Sequence, residues 1–274
     1  MPSIFLHIDG CRKIIEKKKF FKRKPDAQTL ALIGSLIPDL ELLGVLKKVH
    51  GRCKEFYDYL EMRDKAYLPL AFGMIVHEHH DNLIETHFVG EHEESARELL
   101  EQYDHNISKI GVAPEILIEH SLDCSLLEEK PELIDFTKKI VKRVKRSHFK
   151  NIAKHLADFF DGDEKQIAFT LRMFRRFYLH KLAADRDMTA LWQKYMFFIS
   201  QNNAVTYSGV RGKLFKMKVK LAINYMYGKK MLNNKKKHAE KILLKAKKKF
   251  NHSSLLKHAH INEEKLLKLP FELL

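Results

Sequence analysis

Apolar residues recur three and four positions apart along most of the 274-residue chain, a period that predicts helix after helix and no sheet. After Pro25 and Asp26, the residues Leu30, Ala31, Ile33, Gly34 and Ile37 follow this spacing. Asp26 is the expected N-cap and Pro38 the end marker, which leaves Asp39 just past a helix terminus. Cys53 to Met62 reads as a short helix, and Ala66 to about Val89 as a long one whose first part, through Val76, is apolar on every side and so expected to be buried. Glu91 to Asn106 is amphipathic and charged, the mark of a surface helix. Further helical patterns cover Ala113 to Glu128, Pro131 to Arg146, His148 to Phe160, Glu164 to Ala184, Met188 to Ser200, Lys213 to Tyr227 and Lys235 to Phe250. Gly162, Asp163 and the stretch Gln201 to Gly212 are the loop candidates. The expected class is all-α.

Composition agrees and narrows the classes. Glycine (11) and proline (7) are scarce, which removes collagen-like, disordered and all-β readings. Cys11, Cys53 and Cys124 are odd in number and far apart, so neither a disulfide framework nor a zinc ribbon is expected. No run approaches the roughly 18 apolar residues of a spanning helix, and Met1 to Arg12 lacks a basic start followed by a long apolar segment. The expectation is a soluble, cytoplasmic protein. No internal repeat, glycine-rich phosphate loop or GxSxG elbow is present.

The formal charge of +15 is concentrated near the C-terminus: residues 211–250 hold 15 Lys/Arg against Glu240 alone, while residues 1–210 are nearly neutral. Two units are therefore expected, a helical body over 1–210 and a basic helical tail over 211–274. Between Leu214 and Met226 apolar residues interleave with lysines, as in a helix with one apolar and one cationic face. Such a tail suits an anionic membrane surface or nucleic acid, and equally a solvated face of a packed helix. Lysine outnumbers arginine there, so base-specific reading is not expected.

The chemistry sits in Gly73-Met-Ile-Val-His77-Glu-His-His-Asp81-Asn-Leu-Ile-Glu85-Thr-His87, which sets imidazoles and carboxylates directly after a buried half-helix. His77 and Asp81, four apart, share a helix face and can reach one cation. His87 would point roughly 80° away on an ideal helix, so a second, neighbouring ion is its natural partner. Glu119 and Asp123 repeat the i, i+4 spacing on another apolar helix, where two carboxylates resist burial without a cation. His120 with Asp123 is an alternative pair. His7, Asp39 and His50 each fall at an expected element boundary. A lone His-x3-Asp is more often a surface pair; the conjunction is what points to metal. His79, Glu78 and His92 read as exposed or supporting polar residues, His80 and Glu85 stay open, and the other histidines, His252 among them, read as surface residues.

The order His7, then Gly34-Ser-Leu-Ile-Pro-Asp39, His50, His77-x3-Asp81-x5-His87 and Glu119-x3-Asp123 resembles the zinc-dependent phospholipase C family, related to the zinc-dependent single-strand nucleases. The resemblance covers about residues 1–130 and implies a multi-helix bundle of that type, with additional C-terminal helices, and two or three divalent ions. It gives Asp39, His50, His77 and Asp81 to one ion, lets Asp81 bridge to a second that also takes His7, and assigns His87, Glu119 and Asp123 to a third. Zinc is the implied metal; Glu119, a carboxylate where the family offers histidine, is a harder ligand that admits manganese or iron. The implied activity is hydrolysis of a phosphate-containing substrate by metal-activated water, with Asp39 orienting or deprotonating that water. A nuclease or nucleotide hydrolase on the same scaffold, and a noncatalytic metal-stabilised protein whose tail binds membrane or RNA, are the competing expectations.

Overall fold

A computed structural model of the protein describes residues 4–41, 45–101, 114–180, 241–250 and 252–253. These residues are mostly helical, with no strand among them, as the spacing predicts. The helices are α1 (Ile4–Lys17), α2 (Pro25–Gly34), α3 (Cys53–Arg63), α4 (Leu68–Ile84), α5 (Gly90–Glu101), α6 (Pro114–Glu129), α7 (Glu132–Arg143), α8 (Arg146–Phe160) and α9 (Glu164–His180), and residues 241–249 form one more. The expected helix Met188 to Ser200, the loop Gln201 to Gly212, the helix Lys213 to Tyr227 and the boundary between body and tail lie outside the described residues.

Three local readings are corrected. Every residue of helix α1 from Ile4 to Cys11 is buried, including His7, Asp9 and Gly10; His7 therefore sits inside a helix, not at an element boundary. Pro25 occupies the first position of α2, which moves Asp26 into the first turn and makes Lys24 the N-cap, without a side-chain cap. Pro38 opens a 3-10 turn, Pro38–Leu40, since α2 has already ended at Gly34.

Helix α4 is the centre of the molecule, packing along α1, α2 and α3, and it is buried without interruption from Leu68 to His77. Its approach to α2 is a backbone contact. A Cβ on Gly73 would overlap the carbonyl oxygen of Ala31, and one on Gly34 would overlap that of Leu70. The two glycines let the helices cross at a distance no larger residue allows. One turn beyond Gly73, His77 thereby reaches the end of α2. After Ile84 the helix continues as a π segment, Glu85–Val89, before α5 begins. Such widened turns change the phase of the faces and are frequent at functional sites.

The end of the basic tail is docked. Ile242, Leu243, Ala246 and Phe250 are buried, Lys247 pairs with Glu128 on α6, and Lys249 lies 3.0 Å from Glu98 on α5. His252, expected at the surface, is buried; Ser121 Oγ lies 2.9 Å from its Nε2 and Ser125 Oγ 3.2 Å from its Nδ1. No helix among the described residues is long and apolar enough to cross a membrane.

Candidate metal centre

The C-terminal carbonyls of a helix have no partner within it, and Ser35, which caps α2, offers one of them to His77. Its oxygen accepts from His77 Nδ1 at 2.8 Å. A carbonyl can only accept, so the proton of the neutral ring is on Nδ1 and Nε2 presents a bare lone pair. Nε2 lies 2.8 Å from Asp81 Oδ2 and 3.7 Å from Asp39 Oδ1, and it makes no hydrogen bond with either. Asp39 reaches this point because the 3-10 turn after α2 folds Pro38–Leu40 back into the core, with Asp39 buried.

His50 arrives from the opposite side on the turn before α3, where Gly51 adopts φ +81°, a conformation that favours glycine. Its Nε2 is 3.0 Å from Asp81 Oδ2, and its Nδ1 is 2.9 Å from Glu41 Oε2. Glu41 also accepts the backbone N–H groups of Lys48, Val49 and His50, and Glu78 accepts that of Gly51, so two carboxylates hold the turn. From α1, His7 brings Nε2 to 3.1 Å from Asp81 Oδ1, again without hydrogen-bond alignment. One ligand atom each from His7, His77 and Asp81 lies within 4.8 Å of the others. His7, His77 and Asp39 form the buried floor, while the Asp81 and His50 side chains, 17% and 38% exposed, form a rim open to solvent.

The groups of the cluster shift one another's proton affinities. Burial pushes the Asp39 carboxyl up to about 7, against the pull of His77. Burial would also raise Asp81, but the imidazoles of His77 and His7 and the hydrogen bond with His50 hold it well below the carboxylate range. Burial, with His77 nearby, brings His7 down to about 4, the neutral form that ligates metals. The hydrogen bond to Asp81, and that to Glu41, take His50 up to about 9 despite its partial burial. For His77, burial is outweighed by Asp81 and Asp39, and its proton affinity is raised.

Glu119 is buried on α6, and its carboxyl is pushed well above its usual range by burial, with Asp81 and Asp39 adding to the effect. Asp123 is buried too, and its Oδ1 accepts the Phe5 N–H at 2.9 Å, tying α6 to the start of α1. The backbone of His87 lies in the π segment, while its side chain and that of His120 fall outside the described residues; of the set His87, Glu119 and Asp123 the structure describes the two carboxylates. The structure thus brings His7, Asp39, His50, His77 and Asp81 to one place, with Glu119 close enough to be felt electrostatically.

Residues that the sequence reading passed over complete the picture. Glu41 and Ser35 fix the rings of His50 and His77, in the manner of outer partners of metal ligands. Glu41 stands two residues after Asp39, but nothing in that spacing announces its role. The donors fit a divalent cation: both ring nitrogens of His7, His77 Nε2 and Asp39 Oδ1 are buried without hydrogen-bond partners around one carboxylate, that of Asp81. No known protein family, curated protein or solved structure matches the chain.

Proposed function

We propose that this protein is a metal-dependent phosphodiester hydrolase of the phospholipase C kind. The supporting observation is the meeting of His7, His50 and His77 with both oxygens of Asp81, where the buried Nε2 atoms of His7 and His77 face the carboxylate without hydrogen-bonding to it. Zinc is the ion best matched to an imidazole-rich, mixed N/O set, with manganese or iron as the alternatives.

Divalent ions held here by His7, Asp39, His50, His77 and Asp81 would lower the pKa of a water and neutralise the oxygens of a phosphate group. The chain's own residues do the rest. Ser35 and Glu41 hold the His77 and His50 rings in orientation, and Asp81 offers one oxygen to each side of the cluster. Asp39, its Oδ1 buried beside His77 Nε2, is the group that orients the attacking water. Solvent and substrate enter past His50, the exposed member of the set. Residues 211–250, carrying 15 cationic side chains, hold the enzyme to a phosphate-rich surface such as an anionic membrane.

Elemental analysis of the purified chain, paired with hydrolysis of a chromogenic phosphodiester, tests this. Bound metal with activity, both lost in His77→Ala and Asp81→Ala, is the expected result. A metal-free, inactive native protein overturns the assignment, and metal without hydrolysis reduces it to a metal-stabilised helical protein.

A further inference from the structure

The connection between α1 and α2, Lys17-Lys-Lys-Phe20-Phe-Lys-Arg-Lys24, carries six cations in eight residues, and the nearest acids along the chain, Glu16 and Asp26, lie outside it. Ten residues of α1, about 15 Å of helix, separate Lys17 from His7, so the connection stands apart from the metal centre. Lys17, Lys19, Lys22, Arg23 and Lys24 are exposed, and none of these five pairs with a carboxylate among the described residues. Cations gathered this closely repel one another, and an external anion relieves that repulsion.

The fold holds the cluster in one shape. Phe21 is fully buried, its ring centroid 5.5 Å from that of Phe72 on α4. Its carbonyl accepts from Gln28 Nε2 at 2.9 Å and from the Lys24 N–H at 3.2 Å. Lys19–Phe21 form a 3-10 turn, and Arg23 then adopts φ +64°, in the left-handed region that favours glycine. Stability of the turn alone would select glycine there. An arginine in that conformation keeps a sixth positive charge where the backbone opposes it, and strain of this kind gathers at functional sites.

We propose that residues 17–24 form a docking surface for a bilayer containing anionic phospholipids. Phe20 stands half-buried among the lysines, 5.1 Å from the Phe21 ring and with Lys24 Nζ 4.0 Å from its centroid. A single-stranded nucleic acid needs an open aromatic face on which to stack a base, and Lys24 covers one face of this ring while Phe21 abuts it. Five of the six cations are lysines, which meet phosphates as point charges without the bidentate fork of arginine. Clustered lysines around one apolar side chain suit the lipid interface: the ammonium groups stay with the head-group phosphates while the ring meets the acyl boundary. This surface is separate from residues 211–250 and does not depend on the metal centre.

The test is sedimentation of the full chain, with chelator present, on vesicles of phosphatidylcholine alone or mixed with phosphatidylserine. Binding to the mixed vesicles only, weakened by salt, is expected. The triple variant Lys19→Gln, Lys22→Gln, Lys24→Gln is expected to lose at least about tenfold in affinity. The triple variant Lys235→Gln, Lys236→Gln, Lys237→Gln has the same net charge and is expected to lose less; equal or greater loss there means that binding follows overall charge or the tail, and overturns the proposal. Phe20→Trp, read against the native chain with its single Trp192, is expected to gain emission that vesicles shift to the blue and brominated lipid quenches. That readout needs no charge variant to fold, and an unquenched Trp signal at position 20 overturns the proposal. Tighter binding to single-stranded RNA than to the mixed vesicles, lost in the first triple variant, assigns the surface to nucleic acid and overturns it as well.

Discussion

Glu41 and His50 meet at 2.9 Å, Oε2 to Nδ1, and the same carboxylate closes the turn by accepting the N–H groups of Lys48 at 2.9 Å, Val49 at 3.0 Å and His50 at 3.2 Å. The pairing directs a proton to Nδ1 and turns Nε2 toward Asp81. Glu41→Gln keeps the size of the side chain but removes its charge, and partners of this kind contribute about 10- to 100-fold to metal affinity. We expect a loss in that range when zinc is titrated against a competing fluorescent chelator. Glu55→Gln serves as the control, because Glu55 is 62% exposed and pairs with Arg52, away from the cluster. Equal affinity in Glu41→Gln and native protein would show that the turn holds His50 without it.

Gly73 sets the distance between α2 and α4, and through it the contact of His77 with Ser35. An added methyl group meets the Ala31 carbonyl and the Ser35 N–H, neither of which can rotate away. Overpacking of this kind is destabilising by about 1–3 kcal/mol, and here it also moves the His77 ring. Gly73→Ala should lower the denaturant midpoint and weaken metal binding together. Gly90→Ala should do neither, since its Cβ would find nothing nearer than Glu85 O at 3.9 Å and a helical Ala is favoured over Gly.

How far the site was legible depended on the range of each contact. The pair His77 and Asp81 was readable because four residues on a helix is a distance that spacing alone determines. His50 and Asp39 were readable as candidates, from the turn and the helix end that follow Gly34 and precede Gly51. The enclosure of His7, Asp9 and Gly10 in helix α1 was not, because it comes from packing against helices distant in sequence, which no local spacing announces. The fit of His80 against Gly10, and of His252 against Ser121, join residues 70 and 131 positions apart, and no local pattern encodes such partners. The π segment after Ile84 likewise has no period of its own to read.

Asp9 ties α1 to the end of α6. Its buried carboxylate lies 2.6 Å from Lys130 Nζ, 3.2 Å from Lys13 Nζ and 3.0 Å from Arg12 Nη2. Burial alone would raise its pKa, but the hydrogen bond from Lys130 and the charges of Lys13 and Lys130 hold it below the ordinary value of 3.8. A depressed carboxylate stabilises the fold above its unfolded pKa, and that contribution is lost as pH falls through the folded value. Asp9→Asn, which removes the charge and one of the two acceptor oxygens that face Lys130, Lys13 and Arg12, should reduce the unfolding free energy at pH 7 by about 2 kcal/mol. Urea titrations should show the gap between variant and native closing below pH 3.8. A gap unchanged in acid would place its origin in packing.

His252 anchors the end of the basic tail. Burial, with His92 on α5 and Lys247 on its own segment adding to it, takes its pKa from 6.5 down to about 4, so the docked ring is neutral and set between the Ser121 and Ser125 hydroxyls. An undocked His252 titrates near 6.5. Above that pH both forms are neutral and docking is at full strength; between about 6.5 and 4 only the released form takes up a proton, and docking weakens as pH falls. Amide exchange over residues 241–253, corrected for intrinsic rates, should therefore speed up from pH 7.5 to pH 5 more than exchange in α4. His252→Gln retains a donor and an acceptor and does not titrate, so most of that dependence should vanish, with the remainder traced to His92, which stacks on Phe250 at 4.9 Å. An undiminished dependence in His252→Gln would mean that the histidine is not what fastens the tail. Among the described residues the attachment would then rest on the apolar contacts of Ile242, Leu243, Ala246 and Phe250, joined by the Lys247 and Lys249 ion pairs.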